Sequence, residues 1–412
     1  MGSALWAGIS GLNSSSKQMD VIANNIANVN TIGYKAGKIF FADVLSQSIS
    51  GGSSGSMQVG RGVEVTEVGT LFGPGSFETT GNATDVAIDG DGFFMVNDQD
   101  GATFYTRAGA FHLDSSGNLV DTNGYKLQGY NFFGSSTGMI TDISLRNVQS
   151  APATTTEYSV GVNLNSDTVA TDTYTTTQTV YDSLGDRHSL GITFTKTATN
   201  GEWDFQVTLD GVNATCPYTG LQFDSNGDLV NVYNGAAWVA PVDMAVTFAA
   251  IPNGATIGTG NVLNWDLVGT TSLSMTQYAS TSVIKSLTND GYASGLLKSL
   301  SITGDGTISG FFTNGQTSDL AQIVLADFDN TWGLRKMGAN LFAETITSGP
   351  AIRNIPGASG MGDVSSNSLE MSNTDVATEF INMITAQKAY SASARVITTQ
   401  DQMMTELMNI KR

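Results

Sequence analysis

Apolar positions follow two rhythms along this chain. Near the start, Leu5, Leu12, Met19 and Ile26 recur every seven residues, and Ile9, Ile22, Ala23 and Val29 widen the stripe. A sustained seven-residue repeat marks the seam of a helix packed on a long partner. Gly8, Gly11 and Ser14 to Ser16 keep part of this helix thin, so that a partner can come close. The polar run Asn24, Asn25, Asn28, Asn30 and Thr31 ends it, with Gly33 predicted as a left-handed stop. At the other end, Leu369, Val376, Met383, Tyr390, Ile397 and Met404 keep the same spacing. Phe380, Ala394 and Met408 follow four residues after members of that series, while Gln387 and Asp401 interrupt it. Ser372 and Asp375 read as a capping box, and 372–410 as a helical rod of roughly 58 Å.

Between these ends the period drops to two. Short alternating strands are broken by Gly, Asn and Asp, as where Asp85-Val86-Ala87-Ile88 meets Asp89-Gly90-Asp91-Gly92 before Phe93-Phe94-Met95-Val96. One turn string recurs: Asp114-Ser115-Ser116-Gly117-Asn118 and Asp224-Ser225-Asn226-Gly227-Asp228, with Asp182-Ser183-Leu184-Gly185-Asp186 a partial copy. The acid opens such a turn by accepting from its own backbone and the glycine supplies positive φ. Irregular spacing makes these hairpins, not a solenoid. The expected fold is α+β, mainly β, with nested discontinuous domains. Residues 1–32 and 368–412 form an inner, coiled-coil-like helical polymerisation domain. Residues 33–70, with the Ser/Gly run Ser48 to Ser56, form a flexible connection. Residues 71–146 and 285–367 form a β-rich middle domain, and 147–284 an outer β-rich acidic one.

Charge separates the same regions. Lys and Arg number 18 against 37 Asp and Glu, a net charge of −19. That excludes a phosphate-backbone binder, which needs a basic surface. Residues 1–30 sum to zero and 370–412 to −1, whereas 147–284 holds twelve acids and two bases, Arg187 and Lys196. Neutral ends can pack on many neighbours, and an acidic middle repels its copies and stays solvated. No run of about 18 apolar residues is present, so no membrane insertion is expected. The first basic residue is Lys17, and a cleaved signal peptide is not expected.

Catalytic patterns are weak. Gly51-Gly52-Ser53-Ser54-Gly55 matches a nucleophile-elbow string but lacks a flanking strand and helix. His188 lies near Asp182, Asp186 and Ser189, residues that a turn also explains. Asp89-Gly90-Asp91-Gly92 and Asp98-Gln99-Asp100-Gly101 do not continue to the glutamate that closes a calcium loop. Cys216 is the single cysteine: free, crosslinked between chains, or buried and inert. No catalytic residue, cofactor or metal is expected, and the protein is not expected to be an enzyme.

Four segments carry a family resemblance. Asp20 to Lys35, with Asn24, Asn25, Ala27, Asn28, Thr31, Gly33, Tyr34 and Lys35, resembles the N-terminal motif of bacterial flagellar rod and hook proteins. Thr80 to Phe94 resembles their β-domain motif, and Tyr105-Thr106-Arg107-Ala108-Gly109-Ala110-Phe111 the strand after it. Glu379 to Ile384 with Gln387 to Tyr390 resembles their C-terminal helix. The 147–284 block, around Val180 to Gly185, resembles the extra domain of the hook members. The distal rod, and less so an exported carbohydrate-binding adhesin or enzyme, are the rival readings. The resemblance implies a secreted homopolymer: a curved helical tube that acts as a universal joint and passes torque from rod to filament in swimming motility. Its subunits leave through the flagellar type III export apparatus. Implied partners are the distal rod protein, the hook cap protein and the first hook–filament junction protein. The polymerisation seams are expected along Leu5, Ile9, Leu12, Met19, Ile22, Ile26 and Val29, and along Leu369, Val376, Phe380, Met383, Tyr390, Ala394, Ile397, Met404 and Met408. The helices are expected to order only on docking. Six of the 14 Met (Met361, Met371, Met383, Met403, Met404, Met408) lie in the last 52 residues, where a re-packable seam would let neighbours slide.

Overall fold

A computed structural model describes residues 2–45, 47–49, 57–133, 138–268 and 275–410. The Gly51–Gly55 string lies outside them, as does most of the Ser48–Ser56 run. The chain is mainly β, with one long helix at each end: α1 (Gly2–Ala27) and α2 (Val376–Ile410). Among the described residues no helix is long and apolar enough to cross a membrane.

The chain divides into two compact units. One takes in residues 1–147, 299–310 and 318–412, and the second, 148–298 with 311–317, is inserted into its sequence. The first unit therefore closes only when its late segments return to its early ones. Strand Asp363–Ser366 pairs antiparallel with Val86–Asp89, and Ser368–Glu370 with Phe77–Thr79. Val86, Ala87 and Ile88 are fully buried, which is why this stretch reads as a continuous apolar run. Beside them Phe93, Tyr105, Phe328 and Phe342 form an aromatic cluster, with Phe93 and Phe342 edge-on at 5.8 Å.

The 33–70 segment departs from the expected flexible connection. Strands Gly37–Asp43 and Val63–Thr70 pair antiparallel from Gly37↔Thr70 to Asp43↔Val63, with a bulge at Phe40/Phe41. The run Lys38 to Phe41 and the β-branched Val63, Val65, Thr66 and Val68 supply strand propensity on both sides of the Ser/Gly run.

The second unit is an all-β body. Strands Thr173–Tyr181, Arg187–Lys196 and Glu202–Leu209 form a meander in continuous antiparallel register. Its core gathers Tyr158, Phe194, Trp203, Phe205 and Trp265, with Tyr158 stacked on Trp265 at 5.6 Å. The recurrent turn is the same device each time. Oδ1 of Asp114, Asp182 and Asp224 each accepts from two backbone N–H groups downstream, and Gly117, Gly185 and Gly227 take φ of 81°, 87° and 86°. Asp121 and Gly124 build another copy that the sequence pattern missed, because the intervening residues differ.

Candidate assembly site

α1 and α2 pack antiparallel. A Cβ at Gly8 would meet Ile397 Cγ1 at 3.0 Å, and one at Gly11 would meet Ser393 Oγ at 2.9 Å. Asn25 Nδ2 donates to Glu379 Oε1 at 3.1 Å near the opposite end of the pair. The seven-residue period holds on both helices, but the covered residues are not all the expected ones. On α2, Val376, Met383, Tyr390 and Ile397 are half-buried as the series requires. Their companions lie three residues on, not four: Glu379, Ala386, Ser393 and Gln400 are covered, while Phe380 stands half-exposed. Ala394 is half-buried, and Met404 and Met408 are exposed. On α1 the fully covered positions include Gly8, Ser15, Ile22 and Asn25. Leu12, Met19 and Ile26 flank them half-buried, and Leu5 and Ile9 are exposed. Close approach selects small and polar side chains for the contact line and turns the large apolar ones outward.

Three terminal assignments shift with this. Leu369 sits in the strand Ser368–Glu370, not in the helix. Asp375 caps α2 by itself, accepting from Ala377 N at 2.9 Å, while Ser372 Oγ donates to Thr374. α1 ends at Ala27, so Val29 lies beyond it, and Gly33 (φ 66°) serves another purpose. Its N–H donates to Glu370 O at 2.7 Å, and a Cβ there would come within 2.5 Å of Ala108 N.

α2 leaves two groups of large apolar side chains exposed, one near its start and one from Val396 onward, with polar residues, alanines and the charges of Lys388 and Arg395 between them. Phe380, Ile381, Ile384, Val396, Met403, Met404, Leu407, Met408 and Ile410 are all exposed, joined on α1 by Leu5, Trp6 and Ile9. From residue 401 onward α2 has no covered position. Apolar side chains grouped in this way mark a surface that another chain can cover. Trp6, Ile381, Ile384 and Leu407 escaped the sequence reading because they fall off the heptad series. Met361 is buried, and Met371 and Met383 are half-buried.

The motif residues fasten this pair to the strands of the same unit. Asn25, 1% exposed, donates to Gly37 O and accepts from Gly37 N and the Tyr34 hydroxyl. Asn28 donates to Asn24 and accepts from Thr31, while Ala27 closes the helix. Lys35 is wholly enclosed: its Nζ donates to Gly73 O at 2.9 Å and to Glu370 Oε1 at 2.5 Å. Arg107 Nη1 lies 3.5 Å from Glu370 Oε2, and its Nη2 donates to Gly90 O. Burial lowers the pKa of both bases, opposed by Glu370. One carboxylate thus joins the N-terminal motif, the middle motif and the strand before α2. Glu370 was not singled out in the sequence, since nothing local marks it. Asn373 adds a second tie, accepting from Ala36 N and donating to Leu71 O and Gly73 O.

The remaining chemical candidates resolve into structure. His188 Nδ1 lies 2.7 Å from Asp210 and Nε2 3.3 Å from Asp182, an arrangement that bridges two turns. Ser189 offers its backbone N–H to Asp210. Asp98 closes the hairpin between Phe93–Asn97 and Thr103–Thr106 by accepting from Gly101 N. Among the described residues no three His, Cys, Asp or Glu converge to hold a metal. Cys216 is half-buried against the core of the second unit, and burial raises its pKa.

Two helical ends bound by a shared motif around inserted β units define an axial protein of the flagellar rod and hook class. Four family models agree: flagella basal body rod protein over 5–35, flagellar hook protein FlgE/F/G D1 domain over 87–169, flagellar basal body protein FlaE D2 domain over 147–292, and flagellar basal body rod FlgEFG protein C-terminal over 365–410. The flagellar hook protein FlgE of Treponema pallidum is 33% identical over 99% of both chains, and that of Escherichia coli 36% over 98% of both. The chain belongs to the flagellar hook protein family. It is a structural component of the flagellum, in the hook, outside the cell, and the end-to-end match favours this over the distal rod.

Proposed function

We propose that the chain polymerises with itself into a curved tube through the apolar side chains that α1 and α2 leave exposed, and that this tube is the universal joint between rod and filament. The observation that carries the reading is the set of large apolar side chains on α2, from Phe380 to Ile384 and from Val396 to Ile410, which a single copy leaves wet. Contacts that do not close into a ring generate a helical polymer. The seam residues toward neighbours are Phe380, Ile384, Met404, Leu407 and Met408, with Leu5, Trp6 and Ile9. The line between α1 and α2 serves the pair itself. Residues 1–32 and 368–412 act as the inner domain, 71–146 and 285–367 as the middle one and 147–284 as the outer one. The distal rod, the hook cap and the first junction protein meet this polymer at its ends, and the export apparatus delivers its subunits. The role is mechanical and not enzymatic.

Docking orders the free ends, because the length of α2 beyond Gln400 has no intramolecular support. Electron microscopy of the purified chain at high salt is expected to show tubes of regular diameter. A chain lacking residues 1–30 and 376–412 should form none. Tubes from that truncated chain would overturn the reading, and equal helix content by circular dichroism in monomer and polymer would overturn docking-coupled ordering.

A further inference from the structure

The hairpin formed by Arg335–Gly338 and Leu341–Ala343 covers one side of the N-terminal motif. Asn340 Nδ2 donates to Ile32 O at 2.9 Å, and Thr106 Oγ1 donates to Asn340 O at 3.0 Å. Between hairpin and motif lies a cleft of about 210 Å³ whose polar walls include Asn24, Asn28, Tyr34, Lys336 and Asn340. Lys336 Nζ reaches it over the Tyr34 ring, 5.6 Å from its centre, and donates to Lys35 O at a long 3.3 Å.

The chemistry of this cleft is one-sided. Ammonium and amide groups supply it with donors, and Asn24 spends its own amide N–H groups only on a 3.4 Å contact with the Tyr34 hydroxyl. No described carboxylate pairs with Lys336, whereas the ammonium of Lys35 next door is neutralised by Glu370. Burial lowers the pKa of Lys336 with no acid nearby to restore it. An ammonium without an acid partner, beside an Asn24 amide that makes only one long contact, is matched by a carboxylate.

We propose that this cleft receives a carboxylate side chain from a second copy of the chain, with Lys336 as the ion-pair partner and Asn24 as the hydrogen-bond donor that orients it. The inference rests on the polymer reading, which makes another copy the neighbour at highest local concentration. Charge complementarity selects the ligand. The chain carries 37 acids against 18 bases, and its exposed helical acids include Asp20, Asp401 and Glu406. A charge pair at such a place fixes the register of one subunit on the next more than it adds affinity. It also gives the Asn24 amide, held within one copy by a single long contact, a function between copies.

Carbodiimide joins an ammonium to a carboxylate only where the two touch. Tubes grown from equal amounts of nitrogen-14 and nitrogen-15 protein should yield a Lys336 peptide joined to an acidic peptide, with half of the crosslinks isotopically mixed. A Lys336 left unlinked, or linked only within one isotope, overturns the inference and leaves the polymer reading intact. Failure of the unmodified chain to form any tube overturns both. Lys336→Gln is expected to raise the lowest concentration that supports tube growth about tenfold, with the near-ultraviolet circular dichroism of the monomer unchanged. Lys336→Arg should restore growth. Unaltered growth of Lys336→Gln also counts against the proposal, and if that variant misfolds the crosslink decides.

Discussion

Glu370 carries a negative charge where no water reaches, and its stability depends on both Lys35 and Arg107. Removing one member of such a group strands the others, a far larger effect than the net worth of the intact cluster. Glu370→Gln is expected to lower monomer stability by about 3–5 kcal/mol in denaturant unfolding, while Lys126→Gln, at a half-exposed ion pair with Asp142, should cost under about 1 kcal/mol. His188 has a pH signature. Burial opposes its charge, but hydrogen bonds and attraction from Asp210 and Asp182 outweigh that and raise its pKa. The stabilisation is therefore complete below the ordinary imidazole value and is lost as pH rises through the raised one. Unfolding followed by the tryptophans of the second unit should show a midpoint that falls across that window, and His188→Asn should flatten the fall. Of these residues only His188 and its neighbour Asp182 are visible as chemistry in the sequence. The Lys35–Glu370 contact spans 335 positions, and no local pattern encodes it.

At the scale of elements, the seven-residue period announced both helices, while the side chains on the contact line obeyed a second requirement. Two backbones that approach until a Cβ at Gly8 would touch Ile397 need small residues between them. Gly8→Leu is expected to separate the helices at a cost of about 1–3 kcal/mol. Lower helix content and lost tube formation, with an unchanged melting transition of the second unit, would report it. Met403 and Met404 are exposed, so their flexibility acts on neighbours and not on α1. Replacing both by Ile should stiffen or straighten the tube, and unchanged curvature and motility would reject a sliding role for them. The strands on either side of the Ser/Gly run were read as connection because that low-complexity centre dominated the segment. The pairing of Gly37 with Thr70 restores them to the fold.

In the molecule as a whole, the −10 of residues 147–284 stands apart from nearly neutral ends. Repulsion between such units is screened over about 8–10 Å at physiological salt. Tube curvature should therefore change with ionic strength, and curvature indifferent to salt would remove this electrostatic contribution. The sequence by itself determined the helices at the ends, the β-rich middle, the charge division and the family, because each is written in local period, composition or contiguous motif. Tertiary structure alone decided which face of each helix is covered, which acid meets Lys35 and Arg107, and which ammonium is left without one. Those outcomes depend on how closely distant segments pack, and that distance is set by the volumes and hydrogen bonds of residues hundreds of positions apart.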